Sequence, residues 1–418
     1  MTTYNKVDIK IVLLLCLVSI SSLAEAFGRP AASAIVKPRQ TIFNVLAFGA
    51  KPDGKTDSTN AFQAAWDATC KHPEPARLVI PGGEFLVRQV KFEGPCNNKS
   101  PIFIQLRGIV KASIDTSTFT EPEWITFEKI VGLNLNGGGT FDGQGPAVWA
   151  KHDCSAQAKC ASRSVNLKFR NVTNAKIGRI TSKDPKGFHM CINSCNNFRA
   201  KALEITAPGD SPNTDGIHVS NSNDVTIAKS VISTGDDCIS IIQGVNRIKI
   251  ADVVCGPGHG ISVGSLGKYK DEKDVHDVLV KNCTLINTQN GVRIKTWPDS
   301  PPSAATNITF TNIKMENVTN PIIIDQNYCA SAKSCRGNKA SNVKISQVKF
   351  INIRGTTPTQ CAVKMHCSPS FPCQNVQVAN IDLKYVPVLP TNALSKAVSE
   401  CANVKVAVAG FVIPAPCI

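Results

Sequence analysis

From about residue 170 onward one short pattern recurs along the chain. A polar residue, usually Asn or Asp, opens a triplet whose first and third positions are apolar. The copies are Asn174-Ala175-Lys176-Ile177, Asn197-Phe198-Arg199-Ala200, Asp224-Val225-Thr226-Ile227 and Arg247-Ile248-Lys249-Ile250. They continue as Asp277-Val278-Leu279-Val280, Asn307-Ile308-Thr309-Phe310, Asn342-Val343-Lys344-Ile345 and Asn375-Val376-Gln377-Val378. The first apolar positions lie 23, 27, 23, 30, 30, 35 and 33 residues apart. Alternation of period two gives a strand one buried face and one wet face. Repeats of this length, with Gly, Asn and Asp turns and no helical periodicity in the gaps, predict an all-β chain wound as a parallel β-helix. A βαβ array would need amphipathic helices in those gaps, and a β-propeller about 40 residues per four-stranded blade. An ordinary β-sandwich is the remaining alternative.

A solenoid end exposes core and strand edges and must be covered. Asp57-Ser58-Thr59 supplies N-cap residues before Phe62, Ala65, Trp66 and Thr69, which share one helical face. This predicts a short N-terminal capping helix. Gly137-Gly138-Gly139 with Gly143-x-Gly145 looks like a phosphate loop, but no helix follows it, so it reads as tight turning.

Residues 1–26 read as a secretory signal: Lys6 and Lys10, the apolar run Ile11 to Ile20, then Ala24-Glu25-Ala26 as the small-x-small cleavage site. The run is too short for a membrane anchor. Residues 27–40 form a lead-in and 41–418 a single β-helix domain, expected to be secreted and monomeric. Of 17 cysteines, Cys16 leaves with the signal. The even remainder suits disulfides outside the cell, with Cys329–Cys335, Cys367–Cys373, Cys401–Cys417 and Cys238–Cys255 as expected pairs. No cluster has zinc spacing, so neither metal nor cofactor is expected. Asn98, Asn171, Asn282, Asn307 and Asn317 open glycosylation sequons.

The formal net charge is +15, and loss of the signal leaves it unchanged. Such a chain suits a polyanion. With no basic helix or aromatic stacking strip, and 6% aromatic residues, nucleic acid is disfavoured.

Four polar clusters stand out: Asn213-Thr214-Asp215, Gly235-Asp236-Asp237, Gly258-His259-Gly260 and Arg293-Ile294-Lys295, at steps of 21 to 22, 22 and 34 residues. If each repeat is one coil, about 4.8 Å from the next, all four stack on one face. Crowded carboxylates resist full ionisation, so one keeps a proton for a leaving oxygen while an ionised partner activates water. Arg293 and Lys295 flank Ile294 and so share a face, suited to substrate carboxylates. Taken singly, each motif is also a good turn sequence, and Asp-rich turns can hold calcium. Agreement of all four in register favours chemistry.

Ser211-Pro212-Asn213-Thr214-Asp215-Gly216, Thr234-Gly235-Asp236-Asp237-Cys238, Cys255-Gly256-Pro257-Gly258-His259-Gly260-Ile261-Ser262 and Arg293-Ile294-Lys295 resemble the four signatures of the polygalacturonases, glycoside hydrolases of family twenty-eight. The resemblance spans the expected mature chain and includes Phe48-Gly49-Ala50 and Asp325-Gln326-x-Tyr328-Cys329. It implies a right-handed parallel β-helix that hydrolyses α-1,4-galacturonosyl bonds of pectin in the cell wall, with inversion and without a cofactor. By motif position it implies Asp236 as general acid, Asp215 and Asp237 activating water, and His259 supporting the acid. Arg293, Lys295, Asn213 and Tyr328 would bind substrate. Close carboxylates alone would have suggested retention. Gly264-Ser265-Leu266-Gly267-Lys268, Asp271-Glu272-Lys273-Asp274-Val275, Thr296-Trp297 and Ser370-Phe371-Pro372-Cys373 resemble the pollen-type exo-acting members, some of them allergens. An endo-acting enzyme, a silent pectin-binding wall protein and a calcium-dependent pectate lyase are the competing readings.

Overall fold

A computed structural model describes residues 40–98, 101–117, 119–149, 164–329, 339–387 and 396–417. The expected signal and nearly all of the lead-in lie outside these residues. From Thr41 to Ile413 the chain winds as a parallel β-helix, with an 11-stranded sheet on one side and a 21-stranded sheet completing each coil. Among the described residues every strand pairing is parallel, as a coil that always returns in the same sense requires, for example Ile217–Ser220 onto Ile239–Ile241. The hand follows the rule for parallel crossovers, which is right-handed.

The recurring triplets are the inner ladder of the larger sheet. Ala175, Phe198, Val225, Ile248, Val278 and Ile308 pair one above another, and all are buried. The polar residue opening each triplet has a specific cause. Asn174, Asn197, Asp224, Arg247, Asp277 and Asn307 hold φ between 50° and 59°, the left-handed region that Asn and Asp tolerate best. Their side chains also bond between coils: Asn197 Nδ2 donates to Asn174 Oδ1 at 2.7 Å, and Asn307 Nδ2 to Asp277 Oδ1 at 2.6 Å.

One expected repeat is out of register. Ile308 pairs with Val348, not with Val343, and Val348 pairs with Val376. The left-handed residue of that coil is Gln347, φ 56°, inside the long strand Val343–Thr357. Asn342-Val343-Lys344-Ile345 instead lies alongside Ser303–Ala305. The Asn-led alternation is real, but the strand begins at Val343, ahead of the Val348 that continues the column.

Within the coils, Phe92, Phe127, Phe169 and Phe198 stack at successive centroid distances of 5.2, 4.9 and 5.0 Å. Each ring contributes about 1.5–3 kcal/mol through burial. The N-terminal end is closed by a helix, α1 (Thr59–Lys71), whose Ala61, Phe62, Ala65, Trp66 and Thr69 are buried. Trp66 packs 5.0 Å from Phe92, so the aromatic column begins in the cap. Ser58 makes no capping bond. Asp57 Oδ1 does so instead, accepting from the Thr59 backbone N–H at 3.0 Å and the Thr59 hydroxyl at 2.5 Å. At Gly137, φ 140°, an added Cβ would lie 2.1 Å from the Leu106 carbonyl, as tight turning requires, although a helix, of one turn at Pro146–Trp149, does follow Gly145.

Cys238–Cys255, Cys367–Cys373 and Cys401–Cys417 are bridged, and Cys70–Cys96, not foreseen, ties α1 to the first coils. Cys329 is disulfide-bonded, while Cys335 lies outside the described residues. The expectation of general pairing is corrected at Cys191, Cys195, Cys283 and Cys361, which are thiols. Burial pushes Cys195 up to about 12 and Cys283 up to about 11, so both act as small core hydrophobes.

Candidate active site

The 11-stranded sheet positions the site. Asp215, the Asp236-Asp237 pair and His259 occupy the turns that enter strands Ile217–Ser220, Ile239–Ile241 and Ile261–Leu266 on successive coils. Arg293 and Lys295 project from strand Asn290–Thr296, one coil further. All four predicted clusters therefore meet on one face.

The turns are shaped by their own residues. The Thr234 hydroxyl donates to the Thr214 carbonyl, and the Gly235 N–H donates to the Thr214 hydroxyl at 3.0 Å. Gly260 holds φ 82°, and a Cβ there would sit 2.1 Å from the Asn290 carbonyl. Cys238–Cys255 locks the turn of the paired acids to the strand leading into His259.

The three carboxyl groups experience different surroundings. Asp237 is buried, which by itself would raise its pKa. Lys295 Nζ at 2.8 Å from Oδ2 and Arg293 Nη2 at 2.8 Å from Oδ1 outweigh this and hold it below the ordinary carboxylate range. The Ser262 hydroxyl adds a third donor at 2.9 Å. Asp215 is displaced upward: burial comes first, and the charges of Asp236 and Asp237 add to it. His218, with Nδ1 3.8 Å from Asp215 Oδ2, opposes that rise. Asp236 is half-buried. Its Oδ1 accepts from the Asp237 backbone N–H at 2.7 Å and faces His259 Nδ1 at 3.1 Å. With Oδ1 so engaged, Oδ2 is the oxygen left to carry a proton toward a ligand.

Sequence reasoning missed a set of supporting side chains. Ser240 donates from its hydroxyl to Asp215 Oδ2 at 2.9 Å, so it must accept from His218 Nδ1–H at 2.8 Å. Ser262 repeats this role one coil on, donating to Asp237 and accepting from Arg293 Nε at 3.1 Å. His218, Ser240, Ser262 and Arg293 form one column in strand register. The signal was in the chain: each stands three residues after a motif member, as in Asp215-x-x-His218, Asp237-x-x-Ser240 and His259-x-x-Ser262.

A cavity of about 360 Å³ opens over the carboxyl groups, lined among others by Asn213, Asp215, Asp236, Asp237, Lys295 and Tyr328. Asn213 is exposed at its rim, with φ 56°. The Tyr328 ring lies 4.9 Å from Lys295 Nζ and meets Trp297 edge-on at 5.7 Å. The lining also includes Phe188, stacked on His218 at 5.0 Å. Arg293 and Lys295 thus do not stand free on the sheet, as the alternation alone implied; both are anchored on Asp237.

Asp236, Asp237 and His259 present ligand atoms within 4.8 Å of one another. The set does not suit a cation. Both oxygens of Asp237 are held by Lys295 and Arg293, and two adjacent positive charges oppose a third. No described helix is long and apolar enough to cross a membrane.

The sequence profile described as Glycosyl hydrolases family 28 matches residues 70–410. A polygalacturonase of Gossypium hirsutum is 46% identical over 382 residues, 91% of this chain and 92% of that protein. An exopolygalacturonase of Platanus acerifolia is 43% identical, covering 91% of this chain and 98% of its own. Among solved structures, the exopolygalacturonase of Thermotoga maritima matches with a TM-score of 0.72 over 89% of this chain and 93% of that one. At 16% identity, that last match concerns the fold.

Proposed function

Because this chain belongs to glycosyl hydrolase family 28, we propose that it is a secreted, monomeric enzyme of the cell wall. It hydrolyses the α-1,4-galacturonosyl bonds of polygalacturonate with inversion and removes single units from a chain end. The observation that carries this reading is the splitting of neighbouring carboxyl groups. Asp237 is held ionised by Lys295 and Arg293, while Asp215 is pushed toward its protonated form. Asp237 is thereby a fixed negative charge beside Asp215, whose own proton must leave before it can act as a base.

In the proposed cycle Asp236 donates from Oδ2 to the leaving glycosidic oxygen, and His259 steadies Oδ1. Asp215, once ionised, takes a proton from water with the charge of Asp237 beside it, and the water oxygen attacks the anomeric carbon. Ionisation of Asp215, whose pKa is raised by burial and by its neighbouring carboxylates, limits the acid side of the pH profile. Lys295 keeps donors beyond the one spent on Asp237 and lines the same cavity as Tyr328, while the Arg293 guanidinium lies 5.8 Å from the Tyr328 ring.

The exo reading draws support from relatives named exopolygalacturonase. Asp236→Asn is the test: the folded variant should lose turnover of polygalacturonate by at least a thousandfold. Near-wild-type turnover would remove the acid assignment.

A further inference from the structure

The far side of the solenoid carries a second basic groove that the proposed cycle does not use. It runs over strands Thr173–Gly178, Asn196–Lys201, Asn223–Ala228 and Asn246–Ala251. Their inward residues, such as Val225 and Ile227, share the core with Ile217 and Val219 of the cleft sheet. The outward residues therefore look away from the catalytic cleft. Two adjoining cavities of about 550 and 460 Å³ share Asn197 and Arg199. Together their walls carry five cations, Lys129, Lys176, Arg199, Arg247 and Lys249, against two carboxylates, Asp224 and Asp277.

The cations fall into two kinds. Arg247 is spent on Asp224, at 2.6 and 2.9 Å, and Lys129 on Glu93 at 2.9 Å. Lys176, Arg199 and Lys249 are exposed and make no hydrogen bond or ion pair among the described residues. They belong to one column: Lys176 pairs with Arg199, Arg199 with Thr226, and Thr226 with Lys249. Three coil steps of about 4.8 Å put the outer two roughly 14 Å apart along the solenoid axis. Like charges held at such spacing repel one another unless a polyanion lies across them.

We infer that this groove is a non-catalytic binding site for an acidic polysaccharide, a uronate chain lying along the axis with its carboxylates on Lys176, Arg199 and Lys249. The ligand class rests on the reading that polygalacturonate is the substrate. The site would keep the enzyme on a polymer whose end has just left the cleft.

The test compares K176Q/R199Q/K249Q with a control, K51Q/K55Q/K71Q, that removes the same charge from the N-terminal end. Retention is read by electrophoresis through gels containing polygalacturonate, in an Asp236→Asn background that leaves the gel intact. Kinetics are read with the wild-type acid on polymer and on trigalacturonate, which is too short to reach both faces. The groove variant should lose most of its retention and raise KM for polymer at least threefold, with trigalacturonate kinetics unchanged and the control behaving as wild type. Unchanged retention in the groove variant would overturn the site, as would equal loss in the control. Equal retention on dextran sulfate, lost in the same variant, would overturn the assignment to uronate chains. Single Arg199→Gln provides the same readout should the triple variant fold poorly. Failure of wild type to cleave polygalacturonate is a separate result, which strikes the proposed activity rather than the groove.

Discussion

Lys295 places its ammonium 2.8 Å from Oδ2 of Asp237, with 7% and 2% of the two side chains exposed. Arg293 holds the other oxygen, so the carboxylate is clamped from both sides. A buried pair of this kind is costly to break, because the partner left behind is an uncompensated charge.

Lys295→Met should therefore destabilise the fold by about 3 to 5 kcal/mol. It should also lower turnover at least a hundredfold, since Asp237 loses one of the two cations that keep it ionised. Urea unfolding and initial rates on polygalacturonate check the two effects separately. A variant of wild-type stability would mean the clamp contributes nothing to the fold.

Stability should respond to acid with opposite signs at two aspartates. The Asp237 pKa is lowered, so its contribution is full above the unfolded value near 3.8 and is lost as pH falls through the folded one. The Asp215 pKa is raised, so its contribution is full below 3.8 and is lost as pH rises through the folded one. Urea midpoints between pH 2 and 7 should thus show Asp237→Asn losing part of the acid-side decline. Asp215→Asn should gain stability relative to wild type toward neutral pH. Parallel curves for both variants would contradict this.

His218→Leu should move the acid limb of kcat/KM to higher pH. The imidazole opposes the rise in the Asp215 pKa, directly at 3.8 Å and through the Ser240 hydroxyl. Removing it leaves burial and two neighbouring carboxylates unopposed. A fall in rate with an unmoved limb would assign His218 to packing on Phe188 alone.

Removing Cys238–Cys255 with paired serine substitutions should cost about 3 kcal/mol, as expected for a closed loop of this order. Differential scanning calorimetry gives the loss. Activity should fall before the global transition, because the bridge joins the turn of Asp236 and Asp237 to the strand entering His259. Coincident loss of activity and structure would place the bridge outside site geometry.

The solenoid and its catalytic face were legible because period-two alternation and motif spacing are local signals that a coil repeats. Triplets such as Asp224-Val225-Thr226-Ile227 fell in register as read. The Asn342 copy failed because Gln347, a residue with no special turn preference, took the left-handed position. The helix cap was narrowed only to Asp57-Ser58-Thr59, since Asp57 and Ser58 are equally good cap residues, and the bond is made by Asp57. His218, Ser240 and Ser262 were invisible individually, as a single Ser or His in a strand has many uses. Their meaning comes from the column they form with Arg293. Thiol pairing was over-read from an even count, whereas Cys195 and Cys283 serve as core side chains.

The most direct test of the central claim is the time course of products from polygalacturonate, run with wild type and Asp236→Asn. Wild type should release monogalacturonate from the earliest time points with slow loss of viscosity, and the variant should release no product. An early ladder of oligomers with rapid loss of viscosity would contradict exo action, and no product from folded wild type would contradict the catalytic roles altogether.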